Sequence, residues 1–253
     1  MDARRPAALG VDHPIKEPRI LIRHTLGSFA LALLLIPATP VAFGGWAVIT
    51  VQQLPAHLSV GRSTNLEFTI RQRGRTPLND LSPTVKLTRA GAGWLSKGQL
   101  FRAVRSQEPG RYEAVVTPED TGAVAITIDA NWHVARVTLL PIRVVAPGQT
   151  PASLAAAERG RDLFMAKGCV TCHVKSDDPQ LGERQVVAVG PNLTGRKYPV
   201  DWLAQKLADP AQFRAVSGQD AVMPNLGLEN AEIAALVSYV NRPSQSAGAT
   251  AGR

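Results

Sequence analysis

The chain contains the run Cys169-Val170-Thr171-Cys172-His173, and these two cysteines are the only ones in its 253 residues. Two cysteines separated by two residues and followed directly by histidine form the attachment motif of a c-type haem. The spacing suits that chemistry, because the two thiols bond to the two vinyl groups of the porphyrin and the histidine lies under the iron. The motif predicts one covalent haem c held by Cys169 and Cys172, with His173 as an iron ligand.

A Cys-x-x-Cys run also occurs in dithiol redox sites and in zinc sites. A thioredoxin-type motif follows a strand and opens a helix, whereas this run closes a helical pattern. A structural zinc site needs four ligands, and the chain has no further cysteine. Haem attachment is therefore the favoured interpretation, and it leaves no cysteine for a structural disulfide.

Helical periodicity surrounds the motif. The segment Ser153–Lys167 is rich in alanine, and a second helix is predicted to begin at Asp201, a residue type that favours the N-cap. A last helix is indicated by one apolar stripe at offsets of three, four and seven, formed by Ile233, Leu236, Val237 and Val240. Its predicted N-cap, Glu229, is a poorer cap than serine or threonine.

The region from Leu154 to Asn241 resembles a class I monohaem cytochrome c. The resemblance rests on motifs that occur in the order typical of that family, with Gly168 directly before the attachment run. They are Gly160-Arg161-Asp162-Leu163-Phe164, Gly190-Pro191-Asn192-Leu193, Met223-Pro224 and a closing helix from Ile233 to Tyr239.

The resemblance implies roles for several residues. His173 is expected to bind iron through Nε2 and Met223 through its thioether, a ligand pair that raises the reduction potential. The Pro191 carbonyl is expected to accept the Nδ1–H of His173 and so to orient the ligand. Tyr198 and Trp202 are expected near the haem propionates. Further expectations are that Gly160 lets the first helix approach Tyr239 and that Met165 packs near the haem edge without binding iron.

The chain before the helices alternates apolar and polar residues in short runs separated by turns, which predicts about seven strands and an Ig-like β-sandwich. The runs are Trp46–Val51, 66–70, Val85–Leu87, Leu100–Val104, 112–116, 124–128 and Val134–Val145. This part loosely resembles small periplasmic β-domains of the YtkA-like kind. That resemblance concerns the architecture and implies no site residues in this chain.

The predicted fold class is therefore multidomain, all-β plus all-α, with the sandwich followed by a helical class I cytochrome c fold. The predicted organisation is a leader at 1–42, the sandwich at 43–146, a Pro/Gly-rich linker at 147–152, the cytochrome domain at 153–242 and a disordered tail at 243–253.

The leader combines basic residues with a short apolar run, Phe29–Ile36, which is typical of a secretory signal peptide. A retained membrane anchor is the alternative, but a spanning helix needs about 20 apolar residues. Haem attachment in the resembling family also takes place outside the bacterial cytoplasm. We therefore expect a periplasmic protein, with association with the inner membrane as the variant in which the leader is kept.

The formal charge of +8 is unevenly distributed. Residues 43–150 hold 12 Lys and Arg against 7 Asp and Glu, whereas residues 151–253 hold 11 against 10. Arg71, Arg73 and Arg75 are expected on one strand face, where they could contact an acidic partner or an anionic membrane, or form a solvated edge that discourages strand pairing. No motif for nucleic-acid binding is present, and none is expected.

These observations predict an electron carrier that is not an enzyme, transferring single electrons between redox partner proteins in a respiratory or dehydrogenase chain. The alternative is a haem-based redox or gas sensor, or an assembly factor, in which the sandwich binds a partner. A peroxidase would need an open iron position and a distal acid–base pair. A copper role for His57 or His133 would rest on residue type alone.

Overall fold

Strands precede helices along the chain in the computed structural model, which describes residues 45–93, 95–181, 187–213 and 223–243. The predicted leader lies outside the described residues, and so does the predicted tail apart from Pro243. Among the described helices, none combines the length and apolar character required to cross a bilayer.

The strands form two sheets. The first contains β1 (Ala47–Val51), β3 (Thr64–Gln72), β4 (Thr76–Pro77), β7 (Val104–Arg105) and β8 (Arg111–Val116), in the order β1-β3-β8-β7 with β4 paired to β3. The second contains β2 (Leu58–Ser59), β5 (Thr84–Arg89), β6 (Gln99–Arg102), β9 (Gly122–Asp129), β10 (Arg136–Thr138) and β11 (Ile142–Val145), in the order β2-β11-β9-β5-β6 with β10 paired to β9. The pairing of β2 with β11 is parallel, and the other described pairings are antiparallel.

The alternation read from the sequence places one face of each long strand in the sandwich core. Leu66, Phe68 and Ile70 of β3 are fully buried, and Ile126 and Ile128 of β9 are buried in the same core cluster. The Tyr112 hydroxyl of β8, also buried in that core, donates a 2.7 Å hydrogen bond to the Leu78 carbonyl. The fold class predicted from the sequence is confirmed.

Seven of the described strands have four or more residues, and four have two or three. The extra short strands arise where predicted runs divide. The run Leu100–Val104 changes sheet at Ala103, so that it contributes to β6 and β7. The run Val134–Val145 divides into β10 and β11 around Pro141, a residue that cannot donate to a sheet ladder.

The prediction for the three arginines was wrong. Strand β3 ends at Gln72, and Arg73 opens the turn to β4 with a φ of 52°. The arginines therefore do not share one strand face, because two of them lie in a turn.

The helices are α1 (Ala156–Ala166), α2 (Val200–Ala208) and α3 (Asn230–Val240). Helix α2 begins one residue before the predicted cap, so Asp201 lies in its first turn, where a negative charge faces the positive helix end. At α3 the predicted cap residue, Glu229, is found, and its N–H donates to the Glu232 carboxylate at 3.2 Å.

Helices α1 and α3 cross in close contact at Gly160. A Cβ atom at this position would overlap the Ala235 carbonyl and lie 2.6 Å from the Tyr239 Cβ. The expected close approach of the first helix to Tyr239 is confirmed. Next to this crossing, the rings of Phe164 and Tyr239 pack with centroids 5.4 Å apart. The described sandwich and helices belong to one compact unit.

Candidate haem site

A cleft of about 390 Å³ opens among the helices and contains the residues that the sequence predicted for cofactor binding. We call it the haem cleft. Its lining includes Cys169, Cys172, His173, Pro191, Tyr198, Trp202 and Met223. The fold therefore brings together predicted site residues that are spread over more than 50 positions of the sequence.

The attachment run begins where α1 ends. Gly168 has a φ of 79°, in the left-handed region that glycine adopts without strain, and it directs the chain into a 3₁₀ turn at Cys169–Thr171. The His173 N–H donates to the Cys169 carbonyl at 2.9 Å. This turn places both cysteines and the histidine on the wall of the haem cleft.

The electrostatics of the two cysteines differ from those of a dithiol redox site. Burial raises the pKa of Cys169 to about 12, with a smaller contribution from Cys172, and burial raises the pKa of Cys172 to about 11. Reactive dithiols instead have a lowered pKa, because the thiolate is the nucleophile. The environment of the cysteines therefore disfavours the dithiol interpretation.

His173 is held by the loop that follows the attachment run. Its Nδ1 lies 2.9 Å from the Pro191 carbonyl oxygen, the bond that was expected for the ligand. Burial lowers the pKa of His173, and the bond to Pro191 opposes that shift. A neutral ring that donates from Nδ1 leaves the Nε2 lone pair available for a metal.

Gly190 supports the imidazole from its side. A Cβ atom on Gly190 would lie 2.5 Å from His173 Cε1 and 2.7 Å from Nδ1, so only a residue without a side chain fits here. The Gly190 N–H donates to the Cys172 carbonyl at 2.9 Å, which joins the loop to the attachment run. This glycine belongs to the Gly190-Pro191-Asn192-Leu193 motif, but its contact with the imidazole was not predicted from the sequence.

The two methionines inside the helical region occupy different environments. Met223 is half-buried and lines the haem cleft, followed by Pro224 on the same wall. Met165 is fully buried in α1 and is not among the described residues that line the cleft. Met223 is thus the methionine whose thioether can reach a group bound in the cleft.

Tyr198 and Trp202 stack on each other with ring centroids 5.4 Å apart and an interplanar angle of 16°. Asn241 fixes the start of this segment, since it accepts from the Tyr198 N–H at 2.8 Å and donates to the Tyr198 carbonyl at 3.0 Å. Trp202 is 40% exposed, so the cleft reaches the surface here. The role of these two rings near haem propionates stays a prediction.

Residues 157–242 match the family model described as cytochrome c. This part of the chain is a cytochrome c domain. The family implies covalently bound haem c with iron, and the geometry of the cleft agrees with it. The structure has an apolar cleft with two cysteines, an imidazole whose Nδ1 contacts a backbone carbonyl, and little space beside that imidazole, which suits a cytochrome c domain.

No curated protein matches the chain. Similar solved structures include domains 4 and 5 of the S-layer protein SbsC, with 17% identity, a TM-score of 0.28 and coverage of 39% of this chain and 44% of that one. The C-terminal domain of ZirS shows 16% identity, a TM-score of 0.28 and coverage of 56% and 87%. MtrC from Shewanella baltica shows 16% identity, a TM-score of 0.23 and coverage of 76% and 39%. TM-scores this low do not support an inference about function.

Several residues that line the cleft were given no site role from the sequence, and three of them come from outside the quoted motifs. Trp46 and Val48 come from the sandwich, and Lys167 comes from the end of α1. No local signal marks them, because the first two lie more than 100 residues from the attachment run. His57 and His133 also lie in the sandwich, and neither is among the described residues of the cleft.

Proposed function

We propose that this protein is a periplasmic c-type cytochrome with one haem that transfers single electrons between redox partner proteins in a respiratory or dehydrogenase chain. The observation that carries the proposal is the joint presence of His173, oriented by Pro191, and Met223 on the wall of one cleft with both cysteines. When bound there, haem iron would supply a one-electron couple between ferric and ferrous states.

The surrounding residues would favour electron transfer over substrate chemistry. If His173 and Met223 both bound the iron, no coordination position would remain for a substrate. Burial lowers the pKa of His173, which disfavours the charged imidazolium and favours metal binding by the imidazole. These features support a carrier rather than an enzyme.

The partner and the compartment belong to the proposal as well. The attachment chemistry of the family and the basic, apolar leader support the periplasm, with anchorage to the inner membrane as the variant. Trp202, which is 40% exposed and lines the cleft, marks the side from which a redox partner would approach the cofactor.

The test uses a matched pair of volume-conserving substitutions in the haem-loaded protein. Met223→Leu removes the thioether from the cleft, and we expect a lower reduction potential and binding of carbon monoxide to the ferrous form. Met165→Leu removes the thioether that lies outside the cleft, and we expect no change in either property. Haem should remain covalently attached in both variants after extraction with acidified acetone.

Two results would contradict the proposal. An unchanged potential in Met223→Leu would remove this residue as an iron ligand. Binding of carbon monoxide by the unaltered protein without denaturant would support the alternative of a gas sensor.

A further inference from the structure

We propose that the β-sandwich forms one wall of the haem cleft and braces the segment that carries Met223, so that it keeps external ligands and water from the iron. The wall consists of Trp46 and Val48, and the turn at Gly74 packs against Pro224, the residue after Met223. This inference rests on the proposed function, because it takes Met223 as the ligand whose place on the iron is protected.

The first observation is the position of Val48 on β1. Its side chain is 4% exposed and lines the haem cleft. A Cβ atom at Gly168 would lie 2.5 Å from Val48 Cγ1, and a Cβ atom at Gly74 would lie 3.5 Å from Val48 Cγ2. One valine therefore contacts the residue before Cys169 with one methyl group and the β3–β4 turn with the other.

The β3–β4 turn in turn contacts the residue after Met223. A Cβ atom at Gly74 would lie 3.4 Å from Pro224 Cγ, which places the backbone of the turn against the proline ring. Trp46, directly before β1, lines the cleft together with Met223 and Pro224. The sandwich therefore packs against both the attachment run and the methionine segment.

Polar contacts fix the strand in this place. The buried Lys167 ammonium donates to the Gln52 carbonyl at 2.6 Å and pairs with Glu232 at 2.8 Å. The Thr50 hydroxyl donates to the Lys167 carbonyl at 3.3 Å, and Arg159 donates to the Leu54 carbonyl at 2.5 Å. Because a buried charge is tolerated only with its partners in place, these bonds set the register of β1 against α1.

The position of β1 in its sheet explains why it is available for this contact. It stands at one end of the order β1-β3-β8-β7, so its outer edge faces away from β3. The Ile49 carbonyl lies on that outer side, 2.8 Å from where a Gly168 Cβ would be. The end of α1 covers the edge, which protects the strand and places its apolar side chains at the cleft.

The consequence for the cofactor is physical. An apolar wall limits solvent access and lowers the local dielectric constant, and both influence the reduction potential of an iron site. A braced methionine segment also makes it harder for an external ligand to displace the thioether.

The experiment measures imidazole binding to the ferric, haem-loaded protein and the reduction potential. Val48→Ala and Trp46→Ala are the test variants. Their matched controls are Val85→Ala, a fully buried valine of β5, and Trp132→Ala, a half-buried tryptophan in the sandwich. We expect imidazole to bind about tenfold more tightly to each test variant. Removing apolar atoms from the wall weakens packing by a free energy of this scale, and the wall then excludes imidazole less well. We also expect a lower potential in both test variants and no change in the controls.

Met223→Leu serves as the reference in the same assay. If it binds imidazole more tightly while Val48→Ala and Trp46→Ala behave like their controls, the inference about the sandwich is wrong and the proposed function stands. If Met223→Leu also leaves imidazole binding unchanged, the proposed ligand itself is wrong. Should Val48→Ala fail to fold, Trp46→Ala decides the question by itself, because Trp46 is only half-buried.

Discussion

At the scale of single residues, Gly160 shows how one missing side chain sets the packing of the cytochrome domain. The Ala235 carbonyl and the Tyr239 Cβ occupy the space that a side chain would need. The two helices can approach this closely only because glycine lacks a Cβ. A larger residue must push α1 away from α3.

We expect Gly160→Ala to lower the free energy of unfolding by about 3 kcal/mol, because overpacking a tight contact forces backbone shifts. The control is Gly93→Ala, where a Cβ atom would have no neighbour within 4 Å. It should change stability by less than about 1 kcal/mol. Urea unfolding of both haem-loaded variants measures the difference, and equal values would contradict the packing argument.

Tyr239 is the second residue whose environment has a measurable consequence. Its hydroxyl donates to Asp178 at 2.9 Å, and the same carboxylate oxygen pairs with Arg242 at 2.8 Å. Tyr239 is fully buried. Burial raises the pKa of Tyr239 above its ordinary value, and the hydrogen bond and charge of Asp178 raise it further.

This shift predicts a stability that falls at alkaline pH. Above about pH 10 the tyrosine of the unfolded chain loses its proton while the folded one keeps it, so the free energy of unfolding drops by up to about 1.4 kcal/mol per pH unit. Tyr239→Phe lacks this titration, so its stability deficit relative to the unaltered protein should shrink above about pH 10. Urea unfolding across that range tests the prediction, and a constant deficit would speak against it. The raised pKa of Tyr112 is common to both proteins and cancels.

At the scale of elements, β1 and the end of α1 form the contact that joins the two folds. The segment directly after β1 supplies the backbone carbonyls of Gln52 and Leu54. Arg159 and Lys167, in α1 and at its end, donate hydrogen bonds to them. Lys167 is 1% exposed and its partner Glu232 is 13% exposed. The ion pair therefore lies inside the contact. If one member is removed, the charge of the other has no partner of opposite sign there.

We expect Lys167→Met to reduce stability by about 3 kcal/mol, since it leaves the largely buried Glu232 carboxylate without its cation. The double variant Lys167→Met/Glu232→Gln should recover part of the loss, because the uncompensated charge is removed as well. Lys97→Met, at an exposed lysine, is the control and should change stability by no more than about 0.5 kcal/mol. Failure of the double variant to recover would indicate that the charge is not the cause of the loss.

At the scale of the whole molecule, the sandwich and the cytochrome domain pack together in one compact unit. The predicted linker at 147–152 is mostly exposed, whereas the contacts at Val48, Gly74 and Lys167 are buried. The side-by-side placement therefore depends on the packed contact more than on the connection between the domains.

A protease site placed in the linker tests that dependence. After cleavage we expect the two halves of the unaltered protein to elute together in gel filtration at micromolar concentration, because the buried contact persists without the covalent link. The halves of Lys167→Met should separate under the same conditions. Separation of the unaltered halves would show that the linker, and not the contact, holds the domains together.

The sequence alone determined the features that depend on neighbours along the chain. The spacing of Cys169, Cys172 and His173 indicates the cofactor, and the alternation of residues such as Leu66, Phe68 and Ile70 predicts a sheet, since both patterns are complete within a few residues. Where strands divide, as around Pro141, and where helices begin, as near Asp201, was less predictable, because tertiary packing shifts the ends of elements.

The tertiary structure decided which distant residues complete the cleft. Trp46 and Val48 read as ordinary positions of a sandwich strand, and no feature of their local sequence points toward a haem. Their place on the cleft wall follows from the register that Lys167 and Gly168 impose on β1. That register is a balance of steric fit and buried polar partners in three dimensions, which a linear pattern does not encode.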